Sequence, residues 1–400
     1  MTMKHNWTYK PLANLCNVFV DGDWIESKDQ SNSGIRLIQT GNIGVGVYLD
    51  KTERSKFISE ETFYSLNCTE IFEGDILISR LPDPIGRACI LPKLSSRAIT
   101  AVDVAIVRPK SEILPRFVLH YTKSENYADC IATFTKGSTR KRVSRKNLGS
   151  IKFPVPPLEV QRHIVVELDK INNTIEDCRE VLRSLDALAQ SLFYDYFGDP
   201  VTNPKGFKCN KLGQQNEISS AKRVLVQDVV DSGIPFIRGT ELALLSKQNS
   251  FDSSIFTMFI TPGHYEKVKA ITGVPKLNDL LIPSINPDGY VWEVNTTDPL
   301  YFKDGRVLWV HVNHDVYSSK WLKFALSKVI IEKFANLRGA VFAELTLVFL
   351  RNLDLIVPPI ELQEKFAERI EQIEEQKKDV EETIANLQTL LDSRMDYWFN

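Results

Sequence analysis

Basic and polar side chains suited to binding nucleic acid gather in loop-like segments of this sequence. Residues 136–146 contain six Lys and Arg, mixed with hydroxyl side chains and a glycine. Such a cluster is suited to phosphate contacts, although a solvated basic loop has the same composition. Arginine can pair with guanine in the major groove, and Asn or Gln with adenine; hydrogen bonding within a loop is the alternative role. The candidate nucleic-acid contacts are Arg36, Gln39, Arg80, Arg87, Lys136, Ser138, Thr139, Arg140, Lys141, Arg142, Arg238, Ser284, Asn286 and Arg338.

Sequence patterns that carry catalysis are absent. There is no GxxxxGKS/T or GxGxxG loop for a nucleotide, no HExxH or CxxC pair for a metal and no GxSxG nucleophile turn. The Asn/Asp-Pro-Pro-aromatic motif of amino-methyltransferases is also missing, and the six histidines are dispersed. We therefore predict a chain with no catalytic residue, no metal site and no cofactor of its own, which favours a recognition or scaffold role.

Composition predicts a globular protein of the cytoplasm. The chain has 400 residues, 43% of them hydrophobic and 25% charged, enough for two or three domains with sizeable cores. No apolar run approaches the ~18–20 residues that span a bilayer, and the first residues lack the layout of a signal peptide. The six cysteines are scattered, which predicts free thiols. The net charge is −2, yet residues 1–150 and 201–350 are net basic and residues 151–200 and 351–400 net acidic.

An internal duplication organises the chain. The segment VPPLEVQ at 155–161 recurs as VPPIELQ at 357–363, an offset of 202 that holds without a gap to Phe197 and Phe399, with twelve of 43 pairs identical. The preceding segments match more loosely: residues 34–41 align with 233–240, and DILI at 75–78 aligns with DLLI at 279–282. The predicted order is therefore module, helix, module, helix.

Each VPP segment is predicted to begin a long helix, because proline is tolerated in a first helical turn. Residues 158–197 and 360–399 contain no Gly or Pro, so each helix is about 60 Å long. Apolar residues recur at alternating steps of three and four, which is typical of a coiled coil. The predicted seam, and subunit-docking stripe, is Ile164, Leu168, Ile171, Ile175, Leu182, Leu185 and Leu192 in the first helix, and Phe366, Ile370, Ile373, Val380, Ile384, Leu387 and Leu391 in the second.

The two helices are predicted to pair antiparallel, since each long apolar seam needs a partner. Lys377 and Arg394 interrupt the second seam, and polar seam residues can fix the register of a coiled coil. A core stripe in a compact bundle is the alternative interpretation of the seam.

The modules between the helices show short strand-like runs separated by Gly, Pro, Asn and Asp. We predict strands at 76–79, 102–107 and 306–310, helices at 115–131 and 319–334, and a linker at 198–206. The predicted fold class is α+β: two mixed α/β modules separated by two long antiparallel coiled-coil helices, related by a pseudo-two-fold internal repeat.

Over essentially its whole length, the chain resembles the specificity subunits of Type I restriction–modification systems. The resemblance is carried by the two VPPxExQ helix starts, by the strand-end segments at 37–43 and 236–242, and by GSTR at 137–140 ahead of Asn147-Leu148. The second module departs from this pattern, with RGAV at 338–341.

The resemblance implies target-recognition domains at 1–154 and 199–356, with spacer helices at 155–198 and 357–400. Each domain would bind one half of a bipartite, asymmetric site in double-stranded DNA. The helices would set the spacing and dock two methyltransferase subunits, and motor–endonuclease subunits would complete the complex. The chain itself would be non-catalytic, within an adenine-specific methyltransferase and ATP-dependent restriction endonuclease. S-adenosylmethionine, ATP and magnesium would belong to those partners, and no membrane would be involved.

Three alternatives remain at this stage. The same architecture could serve a methylation-only or Type II-like system, which neighbouring genes would distinguish. A coiled-coil scaffold with two carbohydrate- or peptide-binding modules would lack salt-dependent binding to duplex DNA. A stand-alone enzyme would show turnover without partners.

Overall fold

A computed structural model describes residues 6–135, 141–248, 251–336 and 344–400. The chain forms two compact units: residues 1–180 together with 381–400, and residues 181–380. Both long helices are therefore divided between the units. The domain boundaries predicted from sequence, which separate modules from helices, do not coincide with these compact bodies.

In residues 6–135 and 141–157, the first module has ten strands and four short α-helices before the first long helix. Its strands are Thr8–Pro11 (β1), Cys16–Asp21 (β2), Ile35–Ile38 (β3), Lys56–Ile58 (β4), Glu70–Ile71 (β5), Ile76–Ser79 (β6), Ala88–Ile90 (β7), Ala98–Thr100 (β8), Val104–Pro109 (β9) and Lys152–Val155 (β10). Its helices are Glu60–Ser65 (α1), Pro115–Tyr121 (α2), Glu125–Phe134 (α3) and Arg145–Ser150 (α4), followed by the long helix Leu158–Phe197 (α5).

The second module repeats this order. Its strands are Lys208–Lys211 (β11), Glu217–Ser220 (β12), Val229–Val230 (β13), Ile234–Ile237 (β14), Phe259–Ile260 (β15), Leu280–Pro283 (β16), Trp292–Glu293 (β17), Tyr301–Phe302 (β18), Val307–His311 (β19) and Asp354–Val357 (β20). Its helices are Leu212–Gln215 (α6), Gly239–Gln248 (α7), Pro262–Thr272 (α8), Ser319–Asn336 (α9) and Leu347–Asn352 (α10), followed by the long helix Ile360–Phe399 (α11).

The two modules share their sheet topology. One antiparallel sheet has the order β2-β9-β6-β7 in the first module and β12-β19-β16-β17 in the second. A second sheet joins one antiparallel and one parallel pair, as β4-β3-β8 and as β15-β14-β18. Its fourth strand differs: β5 pairs with β8 in the first module, whereas β13 pairs with β15, at the other edge, in the second. The predicted α+β class and internal repeat are confirmed, and the variation lies at a sheet edge.

The long helices begin and end where the sequence predicted, at 158–197 and 360–399. Within the first unit they run antiparallel, because His163 packs on Trp398 and Glu167 accepts hydrogen bonds from Arg394 and Trp398. Within the second unit, Phe193 packs on Phe366 and Asp186 pairs with Lys377, so the two helices again run antiparallel.

The predicted seam is buried most completely where a module covers it. Ile164, Leu168, Ile171, Ile175, Phe366, Ile370 and Ile373 are buried, whereas Leu182, Leu185, Leu192, Val380, Ile384, Leu387 and Leu391 are half-buried. Near the end of α5, Phe193 is buried, one position beyond the predicted Leu192. Phe197, about one helical turn further on, is also buried. A straight helix drifts by roughly 20° per heptad against a strict seven-residue repeat, so the buried face moves off the predicted stripe.

One segment that was predicted as a single helix is interrupted in the structure. The segment 115–131 forms two helices, α2 and α3, because the Ser124 side chain caps the second by accepting a hydrogen bond from the Tyr127 N–H. The prediction for 319–334 is confirmed by the single helix α9. The cysteines are free thiols, as predicted: Cys16, Cys68 and Cys89 are buried, Cys130 and Cys178 are intermediate, and Cys209 is exposed.

Candidate nucleic-acid interface

A buried glutamine at the start of each long helix fixes the module to that helix. The Gln161 side chain is fully buried. Its Oε1 accepts a hydrogen bond from the Leu114 N–H at 2.8 Å, and its Nε2 donates to the carbonyls of Glu112 at 3.0 Å and Pro156 at 2.8 Å. The loop ahead of α2 and the first turn of α5 are thereby joined through one side chain.

The second module repeats the arrangement. The Oε1 of Gln363 accepts from the Ser318 N–H at 3.0 Å, and its Nε2 donates to the carbonyls of Val316 at 3.0 Å and Pro358 at 2.8 Å. Sequence analysis used these glutamines only as letters of a repeated motif. The presence of glutamine at the same place in both copies of the motif was the sequence signal that the two side chains have the same structural role.

Arg87 occupies the centre of the loops at one end of the first module. Its guanidinium donates to the carbonyls of Ile43 at 2.6 Å and Thr40 at 2.9 Å, in the loop after β3. It also donates to the carbonyls of Leu81 and Pro84, both at 2.9 Å, in the loop between β6 and β7. The sequence proposed Arg87 as a base contact, but its described donors are directed into the protein.

The prediction of Arg80 as an exposed nucleic-acid contact is wrong, because its side chain is almost completely buried. It donates to the carbonyls of Val102 at 2.7 Å and Val143 at 3.4 Å, and its Nε lies 3.2 Å from Asp21. Burial lowers the pKa of the Arg80 guanidinium, and the neighbouring Asp21 opposes that shift. Arg80 therefore anchors Val143, within the basic cluster at 136–146.

The described part of the basic cluster lies on the surface beside this anchor. Lys141 and Arg142 are exposed and directly precede Val143. The Val143 side chain is buried, and its N–H donates to the Arg80 carbonyl at 3.2 Å. A rigid attachment of this kind holds exposed cations where phosphate could reach them. The candidates Lys136, Ser138, Thr139, Arg140 and Arg338 lie outside the described residues.

In the second module, the prediction of Ser284 and Asn286 as exposed nucleic-acid contacts is also wrong, because both side chains are buried. The Ser284 hydroxyl, which is buried, donates to Glu344 at 2.8 Å. The fully buried Asn286 side chain accepts from the Tyr290 N–H and donates to the Tyr290 carbonyl, both at 2.7 Å. Both side chains hold their own loop in shape.

The remaining candidates lie nearer the surface. Arg36 forms an ion pair with Asp50 and thereby lowers the pKa of that carboxyl group. Arg238 pairs with Glu241; burial alone would raise the pKa of that carboxyl group, but hydrogen bonds from Arg238 and other donors lower it. Gln39 is half-buried, and its backbone N–H donates to Asn42 at 3.0 Å. These three side chains stay predictions as nucleic-acid contacts.

Two polar residues of the long helices have defined partners. Arg394 pairs with Glu167 and lies over the rings of Tyr397 and Trp398. Lys377 pairs with Asp186 at 2.7 Å. The residues that interrupt the predicted seam therefore make ion pairs from α11 to α5, each within one unit.

The described ranges contain neither a membrane-spanning helix nor a metal-binding cluster. No helix there is both long and apolar enough to cross a membrane. No three His, Cys, Asp or Glu side chains of those ranges are grouped so that they could hold a metal ion.

Known proteins that resemble this chain in sequence are specificity subunits of type I restriction enzymes. Residues 4–182 match the family model described as the Type I restriction modification DNA specificity domain. The chain is 22% identical over 276 residues to a putative type I restriction enzyme specificity subunit of Haemophilus influenzae, covering 68% of this chain and 67% of that protein. It is 24% identical over 350 residues to a putative specificity subunit of Methanocaldococcus jannaschii, covering 80% and 77%.

Solved structures agree on the fold. A chain from a structure of a type I R-M system superposes with a TM-score of 0.59 at 18% identity, over 98% of this chain and 97% of that one. The S subunit of the Type-I restriction-modification system of M. genitalium gives 0.57 at 13% identity, over 100% and 99%. The solved structures share the fold of this chain, and the sequence matches show its similarity to specificity subunits of type I restriction enzymes, with a Type I restriction modification DNA specificity domain at residues 4–182.

Proposed function

We propose that the chain is the DNA-recognition subunit of a Type I restriction–modification complex, in which each module binds one half of a bipartite, asymmetric site. The observation that carries this proposal is the repeated glutamine anchor, at Gln161 and Gln363. Two modules of one topology are each fixed to a long helix by the same three hydrogen bonds. A protein that binds two half-sites at a constant separation needs such fixed modules.

Catalysis belongs to partner subunits in this proposal. Two methyltransferase subunits dock on the long helices, and motor–endonuclease subunits complete the complex. S-adenosylmethionine, ATP and magnesium bind to those partners, and the assembled complex methylates adenine and cleaves DNA with ATP. The absence of catalytic patterns from the sequence supports this division of labour.

Methylation mapping tests the proposal. The full chain, co-expressed with its methyltransferase, is expected to produce adenine methylation at a two-part, asymmetric motif, which long-read sequencing of host DNA detects. The purified complex should also bind random duplex DNA with an affinity that falls steeply with salt, because phosphate contacts release counterions. Methylation at one continuous motif, or salt-independent binding, would contradict the proposal.

The long helices are proposed to set the spacing of the half-sites. A continuous helix of forty residues is about 60 Å long, which is sufficient to bridge half-sites about 34 Å, or one DNA turn, apart. Four residues inserted between Asp177 and Cys178 are expected to change the number of unspecified bases between the half-sites. The matched control is the same insertion between Glu53 and Arg54, in an exposed turn. A spacing that is unchanged by the helix insertion would refute the spacer role.

A further inference from the structure

We propose that Arg87 is a positioning residue that holds two loops of the first module, 39–43 and 81–84, together as one DNA-recognition surface. Specificity for one half-site would then depend on a side chain that need not touch DNA itself. This inference rests on the proposed function. It adds a residue that determines specificity and explains how two separate loops act as a unit.

The position of Arg87 is itself held from several directions. Its carbonyl accepts a hydrogen bond from the Ser79 N–H at 2.9 Å, and the Gly86 N–H donates to the Ser79 carbonyl at 2.8 Å. The Tyr127 hydroxyl donates to the Gly86 carbonyl at 3.0 Å, which attaches this turn to α3. Gly86 has φ +84°, and a Cβ there would lie 2.8 Å from the side chain of Ile131. The guanidinium therefore starts from a fixed backbone.

From that backbone, the side chain reaches both loops. Two of its hydrogen bonds go to Thr40 and Ile43, and two go to Leu81 and Pro84. These loops follow different strands, and the sequence separations from Arg87 to Thr40 and to Ile43 are 47 and 44 residues. One planar group thus joins two loops that lie far apart in the sequence.

Only arginine has the donor geometry for this task. Its guanidinium offers five N–H donors in a rigid plane, whereas lysine offers one compact ammonium group on a flexible stem. Burial lowers the pKa of Arg87, but arginine remains protonated at neutral pH. Removal of the side chain would take a hydrogen-bond donor from each of four carbonyls, those of Thr40, Ile43, Leu81 and Pro84.

The outer faces of the two loops remain available to a ligand. Gly41, Pro82, Asp83 and Pro84 are exposed, and Gln39 is half-buried. Asn42 and Ile43 are buried, so the exposed side chains of these loops are those of residues 82–84. An amide such as that of Gln39 can pair with adenine, and a carboxylate such as that of Asp83 can accept from cytosine.

The second module uses a different arrangement at the corresponding turn. There the Asn286 side chain bonds to both backbone groups of Tyr290 and closes a single loop upon itself. No arginine of the aligned segment 286–291 is available to join two loops, because the segment reads NPDGYV. The dependence on an arginine is therefore expected for one half-site only.

The experiment compares methylation motifs of the full chain assembled with its methyltransferase. Arg87→Ala and Arg87→Lys are expected to relax sequence discrimination at one half-site by roughly 10- to 100-fold, as for the loss of a good base contact. The other half-site should be unchanged. Arg97→Ala is the matched control, because Arg97 also makes several side-chain bonds, to Glu60 and Glu70, but at the start of β8. It should leave the motif intact.

A second readout does not depend on DNA. Amide hydrogen exchange in the full chain should rise in loop 39–43 and at the Gly86 N–H, which adjoins loop 81–84, in Arg87→Ala and not in Arg97→Ala. Gly86 reports on the second loop because Pro82 and Pro84 have no amide hydrogen. An unchanged motif in Arg87→Ala, or equal relaxation of both half-sites, would overturn the inference while leaving the proposed function intact. Wild-type discrimination in Arg87→Lys would show that charge alone suffices, which also contradicts it. A wild-type chain without a two-part motif would refute the proposed function itself.

Discussion

The two modules agree where each meets its long helix and differ where their loops reach solvent. At the helix, Gln161 and Gln363 make equivalent hydrogen bonds at nearly equal distances. In the loops, exposed Arg142 of the first module aligns with Glu344 of the second, which pairs with Arg306 at 2.9 Å. The duplication has therefore kept the attachment of the modules and reversed a charge on their surface. Attachment and recognition can change independently.

A buried position beneath this surface shows the same separation. The backbone N–H of Arg80 donates to the Asp103 carbonyl, and that of Ser284 donates to the Arg306 carbonyl, both at 2.9 Å. Their side chains nevertheless bond to different groups. The backbone framework tolerates an arginine or a serine at one position, so that the loop above it can vary.

The helix attachment gives the largest expected effect. Gln161→Ala and Gln363→Ala should each reduce the free energy of unfolding by about 2–4 kcal/mol, because buried backbone groups lose their partners. Thermal and denaturant unfolding of the full chain measures both losses. The matched control, Glu159→Gln, changes an exposed residue of the same motif and should cost less than about 0.5 kcal/mol. Clearly unequal losses in the two glutamine variants would break the equivalence of the modules.

An ion-pair cluster between α2 and α5 gives a smaller, pH-dependent effect in the first module. The Asp169 carboxylate accepts from His120 at 2.8 Å and from Arg116 at 3.0 Å. Burial alone would raise the pKa of Asp169, but these two hydrogen bonds lower it to about 2. Burial also lowers the pKa of His120, so Arg116 is the charged partner at neutral pH.

Because the pKa of Asp169 is lower in the folded state, its contribution is present above pH ~4 and is lost as the pH falls towards 2. Asp169→Asn should therefore cost about 1–2 kcal/mol at neutral pH, and less near pH 2. Unfolding curves recorded across that range test this expectation. In the second module, Lys320 pairs with Glu374 and Glu293 instead. A cost in Asp169→Asn that does not shrink on acidification would contradict the assignment.

The charge difference at the surface gives the smallest expected effect. Arg142→Glu gives the first module the residue that the second carries, and should lower the salt slope of DNA binding by about one to two counterions. Binding to random duplex DNA at several salt concentrations measures the slope. Glu53→Gln, in an exposed turn, serves as control. A slope that is equal to that of the wild type would remove Arg142 from the phosphate contacts.

The sequence predicted the long helices fully but the site only in part. Helix bounds follow from proline and from an uninterrupted periodic pattern, both of which are local. The fate of an arginine is not local: Arg80 is buried by segments at 102 and 143, and Arg87 is held by loops far away in sequence. Residue type and position in a loop could mark these arginines as important. Only the fold could show whether each arginine holds a loop in place or faces a ligand.

The division of the chain has a consequence for how the protein is made. Phe399 packs on Phe117 and Tyr121 in the first unit, and the Asn126 side chain donates to the Phe399 carbonyl at 2.5 Å. The first module is synthesised early, but its own chain completes its core only when residue 399 has left the ribosome. The second unit has all of its residues sooner, by residue 380. A truncation that removes residues 381–400 would therefore damage the module that was translated first.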